Sequence, residues 1–498
     1  MMRQTYDTII IGGGIAGLTA ALRLKEQGLS VKLVEASGRV GGVLRTMHRD
    51  GFLAESGPNS ILETHEEVTR LIDDIGLADE RIYASDTARN RFVVRNNTLV
   101  ALPMSLGSFV STPLFSSSAK LRLLAEPFIR RVDPRTEESV ADFVRRRIGQ
   151  EFLDYAIDPF VSGVYAGRPE NLSVKYAFPG LVRIEERYGS LIAGQILGAR
   201  ERRRRAEKTK RTARMFTFVD GLARLPEAIA SKLGSIVRTG LTIGRIEYRS
   251  GVWQVADLDE KEAWTARSVI FAAGIRDPNL LRDLVPDFES LAAVKYPPLS
   301  VLSLGFRRED VAHALNGFGV LVPSVENRSI LGALFSSTLF RGRAPEGCVL
   351  ITTFVGGARQ PELARREDAD IRRLVLKDLT ALLGVSSAPV FEHLVRWRAS
   401  IPQYEVGYGR VHAAIDAAEK AHEGLYFTGN YRDGISVPDT IKHATETAAR
   451  VSKMLLRSAA MEPATAQTSA LAADRATAPA GTPAPDPAAK PAAGVPLP

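Results

Sequence analysis

The first forty residues constrain this chain more than any other stretch. Asp7-Thr8-Ile9-Ile10-Ile11 is a short apolar run rich in β-branched residues, as a buried parallel strand requires. Gly12-Gly13-Gly14-Ile15-Ala16-Gly17 follows and satisfies Gly-x-Gly-x-x-Gly. Leu18 to Gln27 has helix-forming composition with an apolar face, Gly28 ends it, and Val31-Lys32-Leu33-Val34 reads as a second strand closing on Glu35. A glycine motif alone is weak evidence, but strand, motif, helix, strand and acid in this order predict a dinucleotide site. Gly12 allows the tight turn, Gly14 lets the backbone approach a pyrophosphate, and Gly17 lets the helix lie close to the strand. The helix start supplies free N–H groups and partial positive charge for phosphates. Glu35, eighteen residues beyond Gly17, can accept both ribose hydroxyls of an adenosine and would repel a 2′-phosphate.

The remaining composition narrows the function classes. At 498 residues the chain has length for two to four domains, and its 45% hydrophobic and 24% charged residues are the ordinary balance of a globular protein. No run approaches the ~18–20 consecutive apolar residues of a membrane span. The N-terminus runs straight into the first strand, with no room for a signal peptide, so a cytoplasmic location is the expectation. A single cysteine, Cys348, excludes an internal disulfide and a Cys-x-x-Cys pair, so redox chemistry here needs a cofactor. There is no Gly-x-Ser-x-Gly, His-Glu-x-x-His or Gly-x(4)-Gly-Lys-Ser/Thr motif, and the seven histidines are scattered, so no metal is expected.

The net charge of +8 is concentrated between Arg200 and Arg214, where Arg202 to Arg205 are consecutive. That run admits no apolar face and reads as a solvated segment or as a patch for anionic lipid. It has no stacking aromatic, so nucleic acid is not expected as a partner. From about residue 459 the chain turns Ala- and Pro-rich and reads as a disordered tail.

Glu35-Ala36-Ser37-Gly38-Arg39-Val40-Gly41-Gly42-Val43-Leu44-Arg45-Thr46 resembles the extension that follows the dinucleotide motif in the monoamine oxidase-like flavoprotein superfamily. Its paired glycines let the backbone pass against a second nucleotide half, and Arg39 offers a cation near the diphosphate. A nicotinamide enzyme has no need of that extension, so FAD is the expected cofactor. Gly424 to Asn430, then Tyr431 to Val437 and a helical pattern to about Leu456, resembles the superfamily's C-terminal flavin segment, where amides at a helix start face the flavin N1/O2 edge. The resemblance implies cofactor contacts at Gly12, Gly13, Gly14, Ile15, Ala16 and Gly17, and at Glu35, Ala36, Arg39 and Gly42. It further implies Gly57, Pro58, Asn59 and Ser60, the adenine-side Ile243, and Trp397, Gly429, Ile435, Ser436 and Val437.

Phe160-Val161-Ser162-Gly163-Val164-Tyr165-Ala166-Gly167-Arg168-Pro169 resembles the hallmark of oxygen-dependent protoporphyrinogen and coproporphyrinogen oxidases. Segments at Gly317–Pro323, Leu331–Ser337 and Thr352–Gly357 are similar to that family too, and the likenesses are collinear from about Tyr6 to Leu456. A porphyrinogen is a large apolar macrocycle with propionates on its rim, and needs an apolar slot with a cation at the mouth. The resemblance implies Gly163 in that slot, Leu321 and Leu334 on one pyrrole face, Phe354 opposite, and Arg91 on a propionate. Taken alone, the leucines read equally as core and Arg91 as a solvated charge. The chain departs from the family at Arg432-Asp433-Gly434, where Gly-Gly or similar is common, at Pro438-Asp439, where a glycine is common, and at Arg168, where an acid is common.

The fold expected is α/β, with a Rossmann-like FAD domain of p-hydroxybenzoate hydroxylase type assembled from residues 1–91, 210–285 and 405–458. A helical subdomain over 92–209 and a mixed-sheet substrate domain over 286–404 are inserted, and 459–498 is the tail. Helical patterning is expected over Leu121–Arg131 and Ser139–Gly149. The implied reaction is a six-electron oxidation of a porphyrinogen in three two-electron rounds, with hydride going to the flavin, protons to solvent, and molecular oxygen leaving as hydrogen peroxide. No side-chain acid or base is expected. The alternatives are an amine oxidase, a carotenoid desaturase, or a non-catalytic flavin-binding protein. Protoporphyrinogen, with two propionates, is preferred slightly to coproporphyrinogen, with four. A homodimer stays open. An apolar stretch at Leu102–Val110 and Pro113–Phe115, with the arginine run, makes an anionic membrane surface a candidate partner.

Overall fold

In a computed structural model of the chain, Thr5–Ile11 is the centre of a seven-stranded sheet. The structure describes residues 5–133, 135–205, 213–275, 278–432 and 434–476, without the side chains of 199–205, 278 and 458–476. Strand Thr5–Ile11 pairs in parallel with Val31–Val34 on one side and Ala263–Phe271 on the other. Val237–Arg238 extends the first edge, and Leu425–Phe427 adds in parallel to Ala263–Phe271. Ile243–Arg249, Val252–Asp257 and Ala263–Phe271 form an antiparallel meander, so the sheet is mixed. Its core holds Trp253, Phe271, Phe427 and Tyr431, the last fully buried.

A second seven-stranded sheet runs in the order Phe391–Trp397, Leu299–Arg307, Cys348–Gly356, Ile330–Leu334, Gly319–Leu321, Arg91–Arg95, Thr98–Ala101. One face, including Leu302, Leu304, Ile351 and Val355, packs on helix Asp368–Leu383 through Ile371, Val375 and Leu379. Together the two sheets and their helices make an α/β fold.

Between Leu106 and Arg205 the chain is helical in short pieces. The helix expected over Leu121–Arg131 is instead Ser117–Leu124 followed by a turn of 3₁₀ helix at Glu126–Phe128, because Pro127 cannot continue an α-helix. Ser139 caps Val140–Arg147 by accepting from the Asp142 N–H at 3.0 Å. A π-helical turn, Leu153–Ile157, leads into helix Asp158–Tyr165. The arginine run falls on a helix described as Leu191–Arg205, and its side chains and 206–212 lie outside the described residues. The last helix, Val437–Ala476, runs past residue 459 where the tail was expected to begin, and 477–498 lie outside the described residues. The chain divides into two compact units, 1–452 and 453–498. Among the described residues no helix is long and apolar enough to cross a membrane.

The helical region is built round buried charge. Arg147 is fully buried, bonded to Glu185, to Glu126 at 3.2 Å and to the Ile129 carbonyl at 3.1 Å. Glu126 also accepts from the Leu191 N–H at 2.9 Å, so one carboxylate both pairs Arg147 and caps the next helix. Burial alone would raise the Glu185 carboxyl, but hydrogen bonds from Arg146 and Arg147 hold it below the ordinary range. A depressed carboxylate stabilises the fold above its unfolded pKa and loses that contribution as pH falls through the folded value. Arg147→Met should therefore cost about 3–5 kcal/mol at pH 7, read by urea unfolding, since it takes the buried guanidinium from Glu126 and leaves Glu185 to Arg146 alone. The gap to the parent should narrow at acid pH, as the depressed Glu185 carboxyl protonates.

Candidate functional site

The glycine turn is built by contacts that only hydrogen permits. Gly12 has φ +111° and its Cβ would lie 2.7 Å from the Ala273 nitrogen, while a Cβ on Gly17 would overlap the Gly12 carbonyl. Beside Gly14 there is open space. Among the described residues nothing accepts from the N–H groups of Gly14, Ile15 and Ala16, which head helix Ile15–Glu26. Gly41 and Gly42, both at positive φ, lie against this turn: the Gly41 N–H donates to the Gly13 carbonyl at 2.8 Å, and a Gly42 Cβ would sit 3.5 Å from the Gly14 Cα. Arg39 is not a free cation here. Its guanidinium donates to the Val40 carbonyl at 2.9 Å and the Gly42 carbonyl at 2.7 Å, so it shapes the loop that carries it.

Glu35 accepts from the Gly13 N–H at 2.6 Å on Oε2, and from the Ser37 N–H and hydroxyl at 2.9 and 2.7 Å on Oε1. Oε2 retains a lone pair for a hydroxyl, and Oε1 would accept one only if Ser37 turned away. Ala36 is exposed at the same rim, whereas Ile243 is buried in the sheet's core.

Two further loops border the turn's end of the sheet. Gly57, Pro58, Asn59 and Ser60 are half-buried, and the Asn59 amide donates to the Gly57 carbonyl at 3.0 Å. Ser56 just before them is held from the second sheet: Trp397 Nε1 donates to its carbonyl at 2.7 Å, and His393 Nε2 lies 3.2 Å from its hydroxyl. Glu55 is buried against Arg343 at 3.4 Å, and burial pushes its carboxyl up to about 7.

Gly429, at φ +145°, opens the C-terminal loop, and Ser436 caps the last helix by accepting from the Asp439 N–H at 3.2 Å. Ile435 and Val437 are half-buried and buried, and among the described residues nothing accepts from the N–H groups of Ile435, Ser436 and Val437. Buried amides need acceptors. Two sets of them, one at each loop, fit a ligand with phosphates at one end and a ring carrying acceptor atoms at the other. Asp433, singled out as a departure, lies outside the described residues.

The residues expected to meet a substrate share one face of the second sheet. Direct pairing puts Arg91 beside Gly319 and Leu334, and Leu321 beside Gly332, which is itself beside Phe354. The same row continues to Val301 and Val395, and the next to Leu334, Thr352, Ser303 and His393. Leu321 and Phe354, expected on opposite sides of a pyrrole, rise from the same sheet face, two strands apart, with Gly332 as the floor between them. At ~4.8 Å per strand that notch is about 10 Å wide. Leu321, Leu334 and Phe354 are each half-buried, at the margins of three different apolar clusters.

Helix Asp158–Tyr165 lies over that face. Gly163 is exposed, yet a Cβ there would reach within 2.8 Å of Leu321 Cδ2. Arg91 is exposed, its guanidinium 5.2 Å from the Phe318 ring centre, and among the described residues no carboxylate pairs with it. His393 stays below its usual pKa through burial and the Arg49 charge. Arg95, on the same strand face as Arg91, is paired with Glu151 at 2.6 Å, and Arg45 lies 5.2 Å from the Trp397 ring centre.

Sequence reasoning missed the groups that hold these parts. Arg359, buried, donates to the Ser162 hydroxyl at 2.6 Å, the Val322 carbonyl at 2.8 Å and Asp158 at 3.2 Å. It thereby fixes the helix to the sheet. An arginine after Gly356-Gly357 carries no local signal of such a role. Among the described residues no cluster of His, Cys, Asp and Glu could hold a metal.

Comparison with known proteins agrees with this geometry. The family described as flavin containing amine oxidoreductase matches residues 15–452. Protoporphyrinogen oxidase 2, chloroplastic/mitochondrial, of Arabidopsis thaliana is 35% identical over 88% of this chain and 92% of its own. Coproporphyrinogen III oxidase of Bacillus subtilis (strain 168) is 30% identical over 87% of this chain and 95% of its own. Among solved structures, an Exiguobacterium protein provisionally described as a protoporphyrinogen oxidase superposes with a TM-score of 0.75 at 23% identity, over 92% of this chain and 100% of that one. The chain belongs to the flavin-containing amine oxidoreductase family, among flavoenzymes similar to protoporphyrinogen and coproporphyrinogen oxidases.

Proposed function

We propose that this protein is an FAD-dependent, oxygen-using porphyrinogen oxidase. The observation that carries the reading is the sheet face: an apolar, glycine-floored notch between Leu321 and Phe354, with an unpaired arginine at its edge. A pyrrole standing edge-on in a notch about 10 Å wide would have Leu321 on one side and Phe354 on the other, which reconciles the expected sandwich with a single sheet face. Bound FAD would supply the two-electron acceptor that molecular oxygen regenerates, with release of hydrogen peroxide. Its domain, of p-hydroxybenzoate hydroxylase type, would draw on residues 1–91, 210–285 and 405–458.

The chain's own residues then bind and orient. Free amides at Gly14, Ile15 and Ala16 would take the pyrophosphate, and those at Ile435, Ser436 and Val437 the N1/O2 edge of the ring. Trp397 and His393 tie Ser56, and with it Gly57–Ser60, to the face that would carry the macrocycle. Orientation of an electron-rich donor against an acceptor does much of the catalytic work, so no side-chain acid or base is called for. Among the described residues of strand Arg91–Arg95, Arg91 lacks a carboxylate partner while Arg95 is paired with Glu151, a short supply of cations that suits two propionates better than four and favours protoporphyrinogen. A wet, charged amine would gain little from a notch of this composition.

Purified protein should be yellow, release FAD on denaturation, and form a fluorescent porphyrin from the reduced macrocycle in air, one hydrogen peroxide appearing per two electrons removed. A flavoprotein inert to both porphyrinogens would overturn the reading, and faster turnover of coproporphyrinogen would reverse the substrate preference. Arg91→Gln removes a charge-assisted hydrogen bond of about 1.5–3 kcal/mol, so kcat/KM should fall roughly ten- to hundredfold. Gly163→Ala pushes only on the movable tip of Leu321, and steady-state kinetics should show KM raised a few-fold with thermal stability kept.

Peripheral attachment to anionic membrane belongs to the same proposal, on altered grounds. Leu114 and Phe115 are buried and Phe109 stacks on Phe152, so those three are core. Met104, Leu106, Val110, Leu121, Leu124 and Phe128 are instead exposed, Leu106 at 86% and Phe128 at 88%. Vesicle flotation should recover the parent on anionic liposomes at low salt. Leu106→Ser with Val110→Ser, or Arg202–Arg205 changed to serine, should leave most of the protein unbound.

A further inference from the structure

The C-terminal loop departs from its family's glycine-rich pattern, and the structure shows what compensates. Tyr431 is fully buried, its hydroxyl donating to the Phe271 carbonyl at 3.0 Å. Arg432 is drawn off the loop to Asp416, at 2.9 Å, and to Glu419. Two tyrosines from outside the loop then grip its backbone. The Tyr404 hydroxyl donates to the Asn430 carbonyl at 2.5 Å and accepts from the Gly434 N–H at 3.0 Å. The Tyr408 hydroxyl donates to the Tyr431 carbonyl at 2.6 Å. The Tyr404 and Tyr408 rings lie 4.4 Å apart, centre to centre, and both are buried.

The N–H of Gly434 immediately precedes the three amides, at Ile435, Ser436 and Val437, for which no acceptor is found among the described residues. One hydroxyl therefore closes the loop from residue 430 to residue 434 and fixes the direction in which those amides leave it. The same segment reaches the other wall of the site. The Gln403 amide donates to the Tyr165 carbonyl at 2.9 Å, at the end of helix Asp158–Tyr165, and the Tyr404 carbonyl accepts from the Ser173 N–H at 2.8 Å.

We infer that Tyr404 is a positioning residue for the flavin: its hydroxyl aims the amides of residues 435–437 at the ring edge where negative charge collects on reduction, and so sets how readily the flavin accepts electrons. This rests on the FAD reading above. Amides aimed at that edge stabilise the charge; amides that wander are replaced by water and stabilise it less. Tyr404→Phe keeps the ring and its packing but takes away the hydroxyl that the half-buried Asn430 carbonyl and Gly434 N–H share.

The test uses full-length protein as purified with FAD, and sulfite as the probe. Sulfite adds to oxidised flavin and leaves negative charge at the same edge, so its dissociation constant reports the amides without any porphyrinogen. Tyr404→Phe should raise that constant roughly fivefold or more, the worth of about one hydrogen bond, in the fraction that retains FAD. The flavin midpoint potential, read against a redox dye, should fall with it. A purely structural role would lower melting temperature and FAD content but leave the sulfite constant of the bound flavin unchanged, and that result overturns the inference. If Tyr404→Phe does not fold, Tyr408→Phe frees the Tyr431 carbonyl of the same loop and should shift the constant the same way, and no shift there overturns the inference too. Parent protein that binds no FAD overturns the functional proposal instead.

Discussion

The contact between Gly17 and the Gly12 carbonyl governs the cofactor end of the molecule. With no side chain at either position, helix Ile15–Glu26 lies directly on the end of strand Thr5–Ile11, and its first amides come off the strand with no loop between. Three consequences follow from that one approach. The amides at Gly14, Ile15 and Ala16 are left without acceptors at a fixed place, Gly13 is brought to the Glu35 carboxylate, and its carbonyl becomes available to Gly41. The Gly41-Gly42 passage is thus hydrogen-bonded to the turn, and Arg39 spends its guanidinium on holding that passage in shape.

The second sheet depends on register in the same way. A shift of one residue in any pairing would turn Leu321, Leu334 or Phe354 from the cleft face to the face packed on helix Asp368–Leu383. The irregularity between Ile330 and Gly332 is where this is decided. It lets Ile330 and Ala333 both enter the core while Leu331 and Leu334 point to the other side. The sheet is tied to the cofactor end through Ser56, held by Trp397 and His393 from one edge strand. Arg49, which donates to the Glu392 carbonyl, and Phe52, stacked on Phe391, join the same two parts.

Strand, turn and helix at the N-terminus were legible because their determinants are local: φ at Gly12, Cβ space at Gly17, apolar alternation around them. The Gly429–Val437 loop was legible for the same reason. What stayed hidden depends on residues far apart in sequence. Nothing near Phe354 says that Gly332 lies beside it, so the sequence supports a sandwich without saying that one sheet face makes it. Arg359 and Tyr404 are ordinary residues until the fold brings them to Asp158 and Asn430. For Arg39 the motif names a charge but not the Val40 and Gly42 carbonyls to which its guanidinium also donates. Of the apolar stretch considered as a membrane contact, Leu106 and Val110 are exposed whereas Leu114 and Phe115 are buried, because local composition does not distinguish a side chain facing solvent from one facing Phe152.

Buried polar groups mark the seams of this structure. Arg359 with Asp158 joins helix to sheet, Arg343 with Glu55 joins the second sheet's flank to strand Phe52–Glu55, and Tyr404 joins two loops. Each carries a desolvation cost, visible in the raised Glu55 and Asp158 carboxyls. Apolar pairs would bury similar area more cheaply, but an apolar contact has no direction and lets surfaces slide. A guanidinium that must meet Val322, Ser162 and Asp158 together has one solution for the angle of helix Asp158–Tyr165 over the sheet. A hydroxyl that must both give to Asn430 and take from Gly434 has one solution for the loop. Fixing those two angles is what the buried polar groups contribute to the site.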